Sequence, residues 1–208
     1  MRFGLNLIVA CPHCGGLARF QTLLSGDTFG ATRWSDGKID APTLPMPPAF
    51  VRCRKCRDFY WGDEATPVDR PSRGDQAASR LATEPAEAEY LEVLDAGLVA
   101  PARERDARVL AWWRGNDARR GGGLLRLLGK LVKRDDDEAR RRNLEALVML
   151  FDDADPDDRL MKAEALRELG RFDEALAALA RVNDEDRAEV AAILRRDCEA
   201  RDSYLHRL

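Results

Sequence analysis

A chain of 208 residues is long enough for one large domain or two small ones with a real hydrophobic core. Its 34 % charged and 45 % hydrophobic residues fit a globular protein, and a net charge of −3 excludes a global field that would draw it onto nucleic acid or anionic lipid. No run approaches the ~18–20 apolar residues of a membrane span, and five cysteines are too few for a secreted disulfide scaffold of this length.

The first section, residues 1–64, is rich in Gly, Pro, Thr and aromatics and reads as short strands and turns. Ile8-Val9-Ala10-Cys11 superficially matches a lipoprotein cleavage site, but ten preceding residues are too few for a charged and an apolar leader region. Leu17–Leu24 and Phe29–Trp34 are strand candidates, and Asp36-Gly37 is a plausible hairpin turn. Pro42, Pro45, Pro47 and Pro48 then forbid regular structure. Phe50–Arg52 and Phe59–Trp61 bracket a second cysteine pair as further strands.

Residues 65–82, with Pro67, Pro71 and Gly74, read as a linker. From 83 to 208 the spacing becomes helical. Thr83 is a candidate cap for a helix carrying Tyr90, Leu91 and Leu94 that stops at Gly97. Pro101 opens a second, with Val109, Leu110, Trp112 and Trp113. A third begins near Asp135–Asp137 and presents Leu144, Leu147, Val148 and Phe151 at i, i+3, i+4, i+7. Asp155-Pro156 starts a fourth that ends at Gly170. Phe172, Ala175, Leu176 and Leu179 mark a fifth, and Asn183 or Asp184 caps a sixth with Val190, Ile193, Leu194 and Cys198 inward. Short helices are marginal alone in water, so these six must bury their stripes on one another.

Four of the five cysteines fall into two CxxC pairs, Cys11/Cys14 and Cys53/Cys56. Tetrahedral zinc takes four thiolates, and two such turns converging from separate parts of the chain supply them. Gly15 follows the first pair and permits a tight backbone turn, whereas Arg57 stands at the same place after the second. About 38 residues separate the pairs, against the ~15–20 of a compact ribbon. Residues 8–62 resemble a four-cysteine zinc ribbon of the rubredoxin-like kind, which implies one structural Zn²⁺ on Cys11, Cys14, Cys53 and Cys56. Iron fits the same ligands. A redox CxxC, by contrast, is a single pair opening a helix in a βαβ context.

Arg52, Arg54, Lys55 and Arg57 sit beside Phe59, Tyr60 and Trp61, the composition that phosphate contact and base stacking require. The alternative is that the aromatics form the ribbon's small core under a solvated rim of arginines. Residues 1–64 carry eight Lys/Arg and six Asp/Glu, so a zinc tetrathiolate leaves the section near neutral.

Lys162–Val182 resembles a tetratricopeptide-repeat hairpin: Ala163, Leu166, Leu169, Gly170, Phe172, Ala175 and Leu179 match its small, large and turn positions. Arg159 and Lys162 depart from it, Arg187 replaces a closing proline, and no second copy follows. This is one repeat-like hairpin, about residues 156–182, inside a helical domain rather than an array. The whole resembles uncharacterised bacterial zinc-ribbon proteins, a resemblance that implies no activity.

No active site assembles. Asp152, Asp153, Asp155, Asp157 and Asp158 lack the glycine of a calcium loop and read as an acidic helix cap. Gly121-Gly122-Gly123 lacks the Lys-Ser/Thr of a phosphate loop and reads as a hinge. Leu124–Arg134 is a short basic amphipathic stretch read as core packing, and Cys198 as a buried small hydrophobe. His13 and His206 have no nucleophile partner. The expectation is an α+β protein in two parts, a small β zinc ribbon at 1–64 and an all-α domain at 83–208. Its expected role is that of a non-enzymatic cytoplasmic adaptor binding an unidentified protein. The alternative is a nucleic-acid-binding ribbon using Arg52, Arg54, Lys55, Arg57 and Trp61.

Overall fold

A computed structural model describes residues 1–120 and 137–208; it is mixed α+β, with a strand-rich N-terminal region and, among the described residues, seven α-helices. The glycine run 121–123, the basic stretch 124–134 and Asp135 lie outside the described residues. Two compact units emerge: Met1–Ala31 with Asp40–Pro85, and Thr32–Ile39 with Ala86–Leu208. No described helix is long and apolar enough to cross a membrane.

The N-terminal unit is built from very short strands. β1 (Arg2–Phe3) pairs with β4 (Leu23–Ser25). β2 (Leu7–Ala10) and β3 (Leu17–Phe20) form an antiparallel hairpin in the register Ala10↔Leu17. The single strand expected over Leu17–Leu24 is therefore two, broken at Gln21–Thr22, where Thr22 accepts the Gly4 N–H at 2.9 Å through its carbonyl and turns the chain to a second partner. β5 (Thr32–Arg33) pairs with β6 (Ile39–Asp40), and Gly37, at φ 81°, turns between them. β7 (Phe50–Arg52) and β8 (Phe59–Trp61) form the next hairpin, in the register Arg52↔Phe59.

Residues 65–82, read from the sequence as a linker, carry β9 (Thr66–Pro67), α1 (Arg73–Ala78) and β10 (Arg80–Leu81). β9 and β10 add to either edge of the first hairpin, giving the order β10-β3-β2-β9. Ser72 caps α1, and the Asp75 carboxylate accepts the Ser72 N–H in return, at 2.9 Å. The core is small: Val9, Phe20, Val51 and Tyr60 with Cys11 and Cys53. Phe50 stacks on Phe59 at 5.6 Å and tilts against Trp61 at 4.8 Å.

The second unit contains α2 (Glu87–Asp95), α3 (Pro101–Arg120), α4 (Asp137–Leu150), α5 (Pro156–Glu168), α6 (Phe172–Leu179) and α7 (Glu185–Glu199). The stop signals act as the sequence predicts: Gly97 and Gly170 take φ 66° and 75°, which reverses the chain after α2 and α5. Asp155 accepts the N–H groups of Asp157 and Asp158, with Pro156 in the first turn, and Asp184 caps α7. Thr83 caps nothing. Pro85 disfavours a helical Glu84, so α2 starts at Glu87 with the Ala86 N–H held by the Glu89 carboxylate at 2.9 Å.

Trp112, Leu147, Ala175 and Leu179 are fully buried, with Leu144, Val148, Phe151, Leu166, Leu194 and Cys198 around them. Val190 and Ile193 are only half-buried; Ala191 takes the inward position on α7. α5 and α6 form a helical hairpin across a three-residue turn.

One face of α5 is charged and yet buried. Glu164 and Arg167 are sealed from solvent, and the Glu168 side chain is 1 % exposed. The 32–39 hairpin covers part of this face. The Ser35 hydroxyl donates to Glu164 at 2.6 Å, while Asp36 accepts from Asn116 at 2.8 Å and from Arg120. Trp113 donates to the Asp36 carbonyl at 2.9 Å. Glu168 accepts from Trp112, Asn116 and Arg140, and Arg140 also meets Glu87 at 3.1 Å. Residues 205–208 lie beside the same hairpin, with the Ser35 N–H on the His206 carbonyl and the Leu208 N–H on the Arg33 carbonyl.

Candidate metal centre

Each CxxC pair occupies the loop of one hairpin: residues 11–16 between β2 and β3, and 53–58 between β7 and β8. The two loops share the same two backbone hydrogen bonds and differ in which sulfur receives an N–H. The Gly15 N–H donates to the Cys11 carbonyl at 2.9 Å, and the Arg57 N–H to the Cys53 carbonyl at 3.0 Å. The Cys11 N–H closes on Gly16 at 2.9 Å, as the Cys53 N–H closes on Asp58 at 2.8 Å. Gly16 N–H points at the Cys14 sulfur and Lys55 N–H at the Cys53 sulfur, both at 3.4 Å. The turn demands a positive φ at its fifth residue, 67° at Gly15 and 70° at Arg57. Arg57 adopts the left-handed conformation although it is not glycine.

The four sulfurs lie within 4.8 Å of one another. Cys14 and Cys53 Sγ are 3.6 Å apart, and Cys11 and Cys56 Sγ 3.9 Å. A tetrahedron with Zn–S bonds of ~2.3 Å has edges of ~3.8 Å, close to these two sulfur–sulfur distances. None of the five cysteines is in a disulfide. Cys11 and Cys53 are buried, and Cys14 and Cys56 half-exposed.

Electrostatics argue for a cation among them. Burial pushes the thiols of Cys11 and Cys56 up. Burial acts on Cys53 too, but N–H groups of Cys56 and Lys55 and the neighbouring sulfurs outweigh it and bring that thiol down to about 7. Tyr60 beneath them is pushed up to about 12 by burial and then by the surrounding sulfurs. Four thiolates at this spacing repel strongly in a low dielectric, and a divalent cation removes that repulsion. Every member of the set is a thiolate donor, so a tetrahedral ion bound here has no open position.

The other residues singled out by the sequence are dispersed. His13 is exposed, its Nε2 3.0 Å from the Phe59 carbonyl, and the four sulfurs stand without it. Arg52 lays its guanidinium 5.1 Å over the Phe59 ring and donates to the Arg57 carbonyl at 3.0 Å. Lys55 Nζ reaches the Cys14 carbonyl at 3.3 Å. Arg54 and Arg57 are exposed, while Tyr60 and Trp61 are 1 % and 7 % exposed and belong to the core. Arg80, distant in sequence, joins Arg52, Arg54 and Lys55 at one cleft; its only sequence signal is a basic residue in a short extended segment.

In the helical unit, Asp153 pairs with Lys162 and Asp157 with Arg187, and Asp158 is bound by Arg105. The aspartate run is a capped and neutralised helix start. Compared with known proteins, the chain matches no family model, no curated protein and no solved structure.

Proposed function

We propose that this protein is a non-enzymatic, zinc-dependent adaptor: a small module folded around one structural Zn²⁺ on Cys11, Cys14, Cys53 and Cys56, joined to a helical unit that binds another protein. The observation that carries the reading is the set of four thiols lying within 4.8 Å of one another. Zinc ribbon is the natural description of two matched CxxC loops on two hairpins. Iron shares these ligands; zinc is favoured because a structural four-thiolate site needs no redox chemistry.

Several features weigh against catalysis. Cys198 is buried at 2 % exposure and its thiol is pushed up to about 11, mainly by burial, which makes it a poor nucleophile. His206 faces Asp202 at 3.2 Å and Asp197 at 3.9 Å, and the nearby Ser35 hydroxyl accepts its backbone N–H at 3.0 Å and donates to Glu164 rather than to the imidazole. The α5–α6 hairpin, with Ala163 and Ala175 at its contact and Gly170 at its turn, supports the tetratricopeptide-like description, a scaffold suited to protein contacts.

A tagged pull-down from native lysate, split into nuclease-treated and untreated halves, tests the adaptor reading. A defined protein partner retained after nuclease and at raised salt is the expected outcome. Recovery that collapses with nuclease would contradict it and move the function to the basic residues Arg54, Lys55 and Arg57.

A further inference from the structure

Beside the second cysteine loop lies a cleft of about 410 Å³, contained within the N-terminal unit. Its walls carry four cationic side chains, Arg52, Arg54, Lys55 and Arg80, and no carboxylate. Apolar surface from Leu17, Ala18, Val51 and Ala82 lines the rest, with Tyr60. Arg52 is already committed to the Phe59 ring and the Arg57 carbonyl. Arg54 and Arg80 are exposed, and their side chains have neither a hydrogen bond nor an ion pair among the described residues. Two guanidiniums, one from the 53–58 loop and one from β10, meet at one cleft with no acid to quench them, in a chain whose net charge is −3.

The rival explanation is that these cations balance the metal centre, since Cys53 also lines the cleft. A zinc tetrathiolate carries two negative charges, which leaves two of the four positive charges uncompensated. A dianion with an apolar body satisfies that remainder, and guanidinium forks match the oxygens of a phosphate group. We propose that this cleft binds an organic phosphate, with Arg54 and Arg80 clamping the phosphate group, Lys55 adding charge, and the apolar wall receiving the rest of the ligand. The phosphate belongs either to a free nucleotide or to a terminal phosphate of a strand; the chemistry of recognition is shared.

The inference rests on the N-terminal unit being folded around its metal, so metal content is measured on every sample. Calorimetric titration of the zinc-loaded full chain with AMP, with inorganic phosphate and with a short 5′-phosphorylated single-stranded oligonucleotide reads the affinity. Saturable binding of AMP or the oligonucleotide is expected, weaker binding of inorganic phosphate, and a loss with rising salt. Arg54→Ala and Arg80→Ala each weaken it by about tenfold or more, while Arg2→Ala, away from the cleft, leaves it unchanged. AMP binding assigns a free nucleotide; oligonucleotide binding alone assigns a strand terminus. No binding by any of the three with one zinc per chain retained, or binding indifferent to both arginine variants, overturns the cleft while sparing the metal reading. Absence of bound metal overturns the metal reading instead, and with it the folded cleft this proposal needs.

Discussion

Arg57 holds a left-handed backbone that glycine adopts freely and a side-chain-bearing residue adopts at a cost of ~1–2 kcal/mol. Its counterpart in the matching loop is Gly15. Arg57→Gly is therefore expected to stabilise the N-terminal unit by about 1 kcal/mol, read as a higher melting temperature or a chelator midpoint moved to higher concentration. No change, or a loss, would mean that the Arg57 side chain contributes more than its backbone costs. Gly16 is constrained by space instead. A Cβ there would stand 3.2 Å from both the Cys14 and Cys53 sulfurs and 3.0 Å from the Lys55 Cβ. Gly16→Ala should weaken metal retention against a competing chelator, whereas Gly15→Ala meets no atom within 4 Å and acts through backbone strain alone. Equal retention in the wild type and Gly16→Ala would show that the loops yield without disturbing the sulfurs. In the helical unit, burial pushes the Glu164 carboxyl up to about 7 against its Arg167 and Ser35 partners. The folded state then binds a proton more tightly than the unfolded one, so this group's stabilisation is present below its ordinary 4.5 and is lost as pH rises to about 7. Glu164→Gln should remove that slope from a stability-versus-pH profile; an unchanged slope would place the titration elsewhere.

At the scale of elements, the cysteine spacing identified both loops that bring the four thiols together, because CxxC is a local signal and its geometry is fixed within six residues. Helix ends were legible for the same reason: Gly97, Gly170, Pro101, Asp155-Pro156 and Asp184 act on their own turns. Non-local pairing left little trace. Strands of two to four residues are too short to show alternation, so β9 and β10 read as linker and β3 and β4 as one strand. The 32–39 hairpin was visible as a turn at Asp36-Gly37, yet nothing nearby announces that Ser35 and Asp36 are buried against Glu164 of α5 and Asn116 of α3, 129 and 80 residues away in the chain. The polar stripe Glu164, Arg167, Glu168 likewise looks like a solvated helix face until that hairpin is laid beside it. Asp36→Ala leaves Arg120, with a side chain 6 % exposed, short of its main partner. A loss of about 3 kcal/mol is expected in denaturant unfolding of the helical unit. Asp117 remains 2.6 Å from Arg120 and could absorb part of the loss; a change below ~0.5 kcal/mol would make the hairpin an ornament rather than a strap.

For the molecule as a whole, the two units draw stability from different sources. The helical unit has a continuous apolar core, from Trp112 through Leu147 and Leu179 to Leu194. The N-terminal unit buries only a handful of apolar side chains around its cysteines, and on the proposed reading a metal ion there supplies what so small a core cannot. Removing a ligand should therefore act on one unit and spare the other. Cys14→Ser or Cys53→Ser is expected to open residues 1–31 and 40–85 to proteolysis while 86–120 and 137–199 stay protected. The most direct test is native mass spectrometry of the purified chain before and after chelation, paired with hydrogen exchange over both units. One zinc per chain, lost on chelation together with protection around Cys11–Gly16 and Cys53–Asp58, is the predicted result. A metal-free chain whose five thiols react as free cysteines while those loops keep full protection would contradict it.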